Sequence, residues 1–360
     1  MTHIAIDASR TTVTPRTGTE TYALELIRHI IRANDALSAP HRLTLYFRDA
    51  PPPDLLPSSA HAVQRVIPFR RAWTHLRFAH ALSQDAPDVT FVPAHTLPFF
   101  FRGRAVVTVH DLGYRLFPQA HPARQRAYLE LTTRYSAKRA NIVFADSEAT
   151  ANDLVRFYGT PRDKIRVIYP AFHAPTVNAV DVRAKYRLPE RYFLFIGTLQ
   201  PRKNIARLVE AYARWQAQSK QAIGLVLAGK KGWLFDERWL DGVENVHISG
   251  YIDEADKGAF YAQAEALVFP SLYEGFGFPV LEAMACGTPV IASSTSSLPE
   301  LVGDAGLLVN PLEVTHITQA MHAILDDGTR QTLMARVPSQ LARFSWQKSA
   351  ESALNALALV

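Results

Sequence analysis

Apolar residues fall in short unbroken runs, separated by longer stretches where they recur at helical spacing, and this alternation continues along the whole chain. In the first half the runs 3–7, 42–47, 63–67, 88–92, 105–109, 142–145 and 165–168 predict strands. Helices are predicted over 20–33, 73–82, 122–140 and from the capping residue Ser147 to Tyr158. The second half repeats the pattern: strands at 192–196, 223–228, 246–249, 266–269, from Pro289, and 306–309. Helices are expected from the cap at or beside Asn204 to Trp215, then over 253–264, 279–286, 315–325 and 347–359. Strands that are apolar throughout suit sheets covered on both faces. Alternation with helices predicts an α/β protein of two doubly wound parallel-sheet, Rossmann-like domains facing across a cleft. The irregular, proline-bearing stretch 173–188 reads as a linker between a first domain, 1–172, and a second, 189–344.

Composition narrows the class. A chain of 360 residues exceeds one ordinary core, and 48% hydrophobic with 20% charged residues excludes a disordered chain. No apolar run approaches the roughly 20 residues that span a bilayer. The start, Met-Thr-His-Ile-Ala-Ile-Asp7, reads as a strand and not a signal peptide. The single cysteine, Cys286, excludes an internal disulfide, argues against a Cys-based metal site and fits a reducing cytoplasm. The net charge of +6 is uneven: residues 1–172 hold 22 Lys and Arg against 14 acids, residues 173–360 hold 17 against 19. A basic first half points to an anionic partner such as a membrane surface, a phosphorylated acceptor or nucleic acid. Plain solubility charge is the competing reading. Nucleic acid is the weakest of the partners, because no binding motif accompanies the charge. The expected location is the cytoplasm, with peripheral contact at the inner face of an anionic membrane.

Candidate chemistry concentrates in residues 266–291. Glu274 and Glu282 stand eight residues apart, the first on a loop with Gly275, Phe276 and Gly277, the second in the short helix that follows. The glycines let backbone N–H groups approach a ligand, and the helix start adds partial positive charge. Such a loop suits an anion that also carries hydroxyls. Gln200-Pro-Arg-Lys-Asn204 places Arg202 and Lys203 after a strand and before a helix, a setting for a diphosphate. Gly197 makes the preceding turn. Gly18, ahead of the first helix, offers N–H groups to a phosphate. His110 and Asp111 end a strand where parallel sheets take ligands, with Asp111 leaning to a structural role. Tyr251 lies near a nucleobase or packs; Lys230 and Lys231 add to a phosphate field or are solvated. The apolar loop Pro98-Phe-Phe-Phe101 lines an acceptor site, touches lipid, or tucks under a neighbour. No Gly-x-Gly-x-x-Gly follows the first strand, which disfavours a dinucleotide oxidoreductase. No Asp-x-Asp occurs, so no metal and no cofactor are expected.

Three stretches carry a family resemblance: Phe195-Ile-Gly-Thr-Leu-Gln-Pro-Arg-Lys-Asn204, Leu227-Ala-Gly-Lys-Lys-Gly-Trp233, and Phe269-Pro-Ser-Leu-Tyr-Glu-Gly-Phe-Gly-Phe-Pro-Val-Leu-Glu-Ala-Met-Ala-Cys-Gly-Thr-Pro-Val290, continued by 298–306. With these the second half resembles glycosyltransferase family 4, retaining nucleotide-sugar enzymes of GT-B fold. The first half matches at Gly18-x3-Tyr22 and Thr108-Val-His-Asp111. The resemblance implies transfer of a hexose, mannose favoured, from a nucleoside-diphosphate sugar to a glycan or lipid-linked acceptor of surface polysaccharide synthesis. It implies Lys203 and Arg202 on the donor diphosphate; where the family commonly has Arg after the glycine, this chain has Thr198. Glu282 would hold the ribose, Glu274 the transferred sugar with N–H groups near Gly275, Phe276 and Gly277. His110 would reach the sugar, and Gly18 the phosphates. The first domain would bind acceptor, and a last helix, 345–360, would pack on it through Leu354, Leu357 and Leu359. Closure of the cleft would expel water. The alternatives are a non-catalytic nucleotide-sugar-binding protein and a GT-B nucleotide-sugar epimerase or phosphorylase.

Overall fold

Seven parallel strands form the sheet of the first unit: β1 (His3–Asp7), β2 (Arg42–Phe47), β3 (Ala62–Val66), β4 (Val89–Val92), β5 (Ala105–Val109), β6 (Ile142–Ala145) and β7 (Ile165–Val167). Their order is β3-β2-β1-β4-β5-β6-β7, so the winding direction reverses between β1 and β4. The structure, a computed structural model, describes residues 1–120, 122–232 and 234–360; Trp233, which ends one of the three motifs, lies outside them. Every residue of β4 and β5 is buried, as in parallel sheets covered on both faces. The helices are α1 (Gly18–Asp35), α2 (Ala79–Asp85), α3 (Gly113–Leu116), α4 (Ala123–Arg139) and α5 (Glu148–Tyr158). Thr17 and Glu20 form a capping box at the start of α1, which buries Leu24, Ile27 and Ile31 at helical spacing. Ser147 Oγ accepts the Thr150 N–H to open α5, and Gly159 in the left-handed region closes it. Residues 74–78, expected to begin a regular helix, instead form a π-helical turn leading into α2.

The second unit repeats the plan with α6 (Val182–Tyr186), β8 (Tyr192–Ile196), α7 (Ile205–Gln218), β9 (Gly224–Ala228), β10 (Val246–Gly250), α8 (Lys257–Ala262), β11 (Ala266–Phe269), α9 (Phe278–Ala285), β12 (Val290–Ser293), α10 (Leu298–Val302), β13 (Leu307–Val309), α11 (Val314–Ala323) and α12 (Asp327–Leu341). The strand order is β10-β9-β8-β11-β12-β13, again parallel, with the reversal between β8 and β11. Ligands of open α/β sheets bind beyond the carboxyl ends of strands at such reversals. The chain divides into Met1–Ala171 with Phe344–Val360, and Phe172–Arg343.

Several expectations need correction. Residues 173–188 are not a free linker. Asn178 Nδ2 donates to the Ala255 carbonyl, Val180 O accepts from Gln263 Nε2, and Lys185 and Tyr186 both reach Asp256. Those bonds fold the stretch into the second unit, as α6 does. Helices α6, α10 and α12 did not stand out in the sequence, because each is short or weakly amphipathic. Asn204 stands at the start of α7 in the left-handed region without capping it. Its Nδ2 instead donates to the Pro270 and Pro311 carbonyls. The last helix, α13 (Trp346–Ala358), packs on α1, with Trp346 edge-on to Tyr22 at 6.1 Å. Leu354 and Leu357 are buried there, but Leu359 is 84% exposed because the helix ends one residue before it.

Three glycines in the left-handed or extended positive-φ region follow or end adjacent strands: Gly197 after β8, Gly229 after β9 and Gly250 in β10. A Cβ on Gly229 (φ +147°) would fall 2.0 Å from the Gly197 carbonyl oxygen. Gly229→Ala is therefore expected to destabilise the second unit by roughly 2 kcal/mol or more. Calorimetry checks this as a lowered thermal midpoint, while Gly242→Ala, where nothing lies within 4 Å, shows only the smaller cost of its backbone angle.

Candidate functional site

Two loops meet at the reversal point of the second unit. One follows β8 and carries Arg202 and Lys203 in the turn Pro201–Lys203; the other follows β11 and carries Glu274. Lys203 Nζ donates to Glu274 Oε1 at 2.5 Å, and Arg202 Nη1 to Oε2 at 3.0 Å. The same guanidinium donates to the Tyr273 carbonyl, and Leu272 N–H to the Arg202 carbonyl at 2.9 Å, so the loops are cross-tied. Glu274 is 6% exposed. Burial alone would raise its pKa, but the Lys203 and Arg202 charges outweigh that and draw it down to about 2. The result is a carboxylate fixed in the ionised state beside two cations, one positive charge in excess. Cations for the phosphates and a carboxylate for sugar hydroxyls were expected as separate devices; the fold makes them one cluster.

The Glu274 loop is held from behind. Glu274 N–H donates to Ser296 Oγ at 3.0 Å, while buried Ser297 Oγ donates to the Glu274 carbonyl and to that of Phe276. Gly277 sits at φ +119° directly before α9, where a Cβ would come 2.8 Å from Leu298 Cδ2. Phe276 is 5% exposed and packs edge-on against Phe278, so its ring is structural. Gly275 lies in the same loop.

Glu282, on α9, is 8% exposed. Its Oε1 accepts from Lys257 Nζ at 2.7 Å and its Oε2 from Tyr261 OH at 2.8 Å. A carboxylate has about four acceptor positions, so these bonds orient Glu282 and leave it capacity for a hydroxyl. Burial, then the Glu282 charge beside it, pushes the Cys286 thiol up to about 11, which disfavours the thiolate. Gly197 makes the turn after β8, with Lys203 Cε beside it. Tyr251 is 65% exposed, with Lys230 Nζ 4.8 Å from its ring centre. Lys231 is paired with Glu237 at 2.5 Å.

The reversal point of the first unit holds a cavity of about 370 Å³, lined among others by Arg10, Glu20, His95, His110, Asp111 and Tyr128. His110 is 7% exposed, and its Nδ1 lies 2.8 Å from Asp146 Oδ2. Burial would lower its pKa, but the Asp146 carboxylate holds it above the ordinary value. Its Nε2 is buried without a hydrogen-bond partner among the described residues. The His110 N–H donates to His95 Nε2 at 3.2 Å, which requires a lone pair there. Burial, then the charge of His110, draws His95 down to about 3, so its proton sits on Nδ1 toward Thr133 Oγ1. Asp111 accepts from Gly113 N–H at 2.7 Å and opens α3, the structural role. Gly18 begins α1 beside Glu20, whose carboxylate accepts the Thr17 N–H and pairs with Arg10 at 3.2 Å. An anion at Gly18 would meet both charges.

The sequence reading missed Asp146, His95, Lys257, Tyr261, Ser296 and Ser297. Asp146 was findable: Val109 and Ala145 are register partners on β5 and β6, so the next residue of each strand lies side by side. Lys257 and Tyr261 share one helix face at i, i+4 spacing, but nothing in the sequence pairs that face with α9. Among the described residues no group of three His, Cys, Asp or Glu side chains is placed to hold a metal ion, and no helix is long and apolar enough to cross a membrane.

Comparison with known proteins follows the same division. Residues 181–337 match the family described as "Glycosyl transferases group 1", and residues 16–174 match "Glycosyltransferase Family 4". The chain is 32% identical over 351 residues to O-antigen chain mannosyltransferase B of Escherichia coli, covering 94% of this chain and 88% of that one. It is 30% identical over 308 residues to the serotype-specific mannosyltransferase WbdA of Escherichia coli, covering 76% of this chain but 37% of that relative. Among solved structures, Anabaena HepE in complex with UDP-glucose superposes over the full length of both chains with a TM-score of 0.71 at 18% identity, a likeness of fold.

Proposed function

The chain belongs to the group 1, family 4 glycosyltransferases, and within that family we propose that it transfers mannose or a related hexose, with retention of configuration, from a nucleoside-diphosphate sugar to a surface glycan or its lipid-linked precursor. GDP-mannose is the first candidate donor, supported by the names of the mannosyltransferase relatives. The observation that carries the reading is the Arg202–Lys203–Glu274 cluster, because two adjacent loops together present charge for a diphosphate and an ionised acceptor for hydroxyls. Arg202 and Lys203 hold the phosphates as negative charge builds on the departing nucleotide, which lowers the barrier electrostatically and asks for no metal. Glu274 and the N–H groups of its loop orient the transferred sugar. Glu282, aligned by Lys257 and Tyr261, takes the ribose hydroxyls. Neither glutamate is cast as a nucleophile: the acceptor hydroxyl attacks on the face the phosphate leaves, and the departing phosphate receives its proton. His110 serves as a hydrogen-bonding group at Nε2, and the cavity beside it takes acceptor. We assign the reaction to the cytoplasm, a setting the single cysteine, Cys286, supports.

A donor screen tests this. GDP-mannose, UDP-glucose and dTDP-rhamnose are titrated calorimetrically, nucleotide release is followed with a mannan-type acceptor, and the product anomer is read by NMR. One donor is expected to bind and turn over with retention. If none binds, and Glu274→Ala and Lys203→Ala behave like the parent chain, the proposal fails; an inverted product would sink the retaining mechanism alone.

A further inference from the structure

The cation excess of the first unit is gathered on one face that also exposes apolar side chains. Segments 70–77, 98–104 and 122–139 contain ten Arg and Lys residues and a single acid, Glu130. Nine of the ten are exposed: Arg70, Arg71, Arg77, Arg102, Arg104, Arg124, Arg126, Arg134 and Lys138. Arg104 Nη1 donates to the oxygen of the terminal residue, Val360; among the described residues no Asp or Glu pairs with any of the nine, whereas Arg115, beside them, holds Glu130. Glu130 itself is taken by Arg115 and Tyr158. Eight of the nine cations therefore face solvent with no carboxylate beside them among the described residues.

Contacts join the three segments. His75 stacks on Phe99 at 4.3 Å and reaches Tyr128 OH at 3.2 Å, and Phe99 meets Tyr135 edge-on at 5.1 Å. Phe101 packs against the core, but Phe100 is 86% exposed, Leu131 60% and Leu76 57%. Residues 122–128, the approach to α4 and its first turns, are exposed without exception. Along α4 the positions 124, 128, 131, 135 and 138 share a face, interleaving cations with Tyr128, Leu131 and Tyr135.

We infer that this face of the first unit docks on an anionic lipid surface, with Phe100, Leu76 and Leu131 entering the interfacial layer and the flanking Arg and Lys residues meeting the headgroups. Exposed aliphatic and aromatic side chains inside a cationic rim match that boundary, where apolar burial and headgroup attraction act together. A second copy of the chain is disfavoured, since a two-fold contact would set the same cations against each other. Nucleic acid is disfavoured because no nucleic-acid-binding motif accompanies the charge, and the exposed aliphatic side chains Leu76 and Leu131 answer to lipid and not to a base. Tyr128 belongs both to this face and to the wall of the 370 Å³ cavity, so docking brings that edge of the cavity to the lipid. Supply of a lipid-linked acceptor by this route rests on the proposed reaction; the docking does not.

The test is flotation of the whole chain with phosphatidylcholine vesicles, with and without phosphatidylglycerol, at low and high salt. The parent chain is expected to float only with phosphatidylglycerol, more at low salt. The pair Arg124→Glu and Arg134→Glu is expected to reduce binding at least tenfold, and Phe100→Ser with Leu131→Ser to remove the part that survives salt. Arg32→Glu, on α1, is the control and is expected to bind like the parent. Circular dichroism and donor turnover on a water-soluble acceptor, measured on the same samples, show that each variant is folded and separate this result from failure of the proposed reaction. No flotation of the parent chain, or equal loss in Arg32→Glu, overturns the docking face. So does parent-chain dimerisation abolished by the charge reversals, which would reassign the face to a second copy.

Discussion

Glu274→Gln is expected to lower kcat for sugar transfer by about 10²–10³-fold while leaving the affinity for free nucleoside diphosphate unchanged or tighter. The sign follows from the cluster. Glu274 offsets one of the two charges of Lys203 and Arg202 at 2.5 and 3.0 Å, so removing its charge leaves both cations to a diphosphate and replaces the ionised acceptor for the sugar hydroxyls by a weaker, neutral amide oxygen. Lys203→Ala should do the opposite and loosen the nucleotide, with a loss of similar size in kcat/KM. Lys203→Ala also leaves buried Glu274 with Arg202 as its nearest cation, and breaking buried ion pairs costs roughly 3–5 kcal/mol when no partner remains. Thermal unfolding therefore accompanies the calorimetric titration. If nucleotide affinity falls in Glu274→Gln as it does in Lys203→Ala, the carboxylate only holds the cations in place.

Asp146→Asn is expected to reduce kcat by about 10²-fold and to move the titration of His110 downward. Asp146 stabilises the imidazolium across 2.8 Å and opposes the effect of burial. An amide still accepts the Nδ1 proton but brings no charge, so burial then dominates and the pKa falls. In the parent chain the His110 inflection is expected above 6.5, with Nε2 an acceptor on the alkaline side and a donor on the acid side. NMR titration of the His110 ring, beside the pH–rate profile, checks the shift. A variant that loses stability but keeps the parent midpoint would make Asp146 a structural residue and nothing more. His110→Ala should abolish the inflection altogether.

The fold was legible because its signals are local. Unbroken apolar runs such as 105–109 and 192–196 become strands buried on both faces, and the helices between them carry their own caps, as at Ser147. What escaped is held by distant partners. Helix α12 is weakly amphipathic and fits where Gln340 Nε2 donates to the carbonyls of Glu300 and Leu301 at the α10 segment. Residues 173–188 look like a linker until Asp256 and Ala255 bind them to the second unit. Asn204 reads as a cap, yet its amide is spent on Pro270 and Pro311, one of them more than a hundred residues away.

The same boundary runs through the site. Residue types and spacing alone singled out Glu274, Glu282, Gly277, Arg202 and Lys203 as candidates for one ligand-binding apparatus, since a glycine before a helix and cations after a strand act through their own backbone and charge. Only the tertiary structure decided which of these groups touch. Strand order places the ends of β8 and β11 side by side, and that adjacency joins Lys203 to a carboxylate 71 residues later. It likewise sets Asp146 against His110 through the pairing of β5 with β6, and Lys257 and Tyr261 against Glu282 through the packing of α8 on α9. Coulomb energy and burial depend on distance in space, and one-dimensional spacing carries that distance only within a single turn or strand.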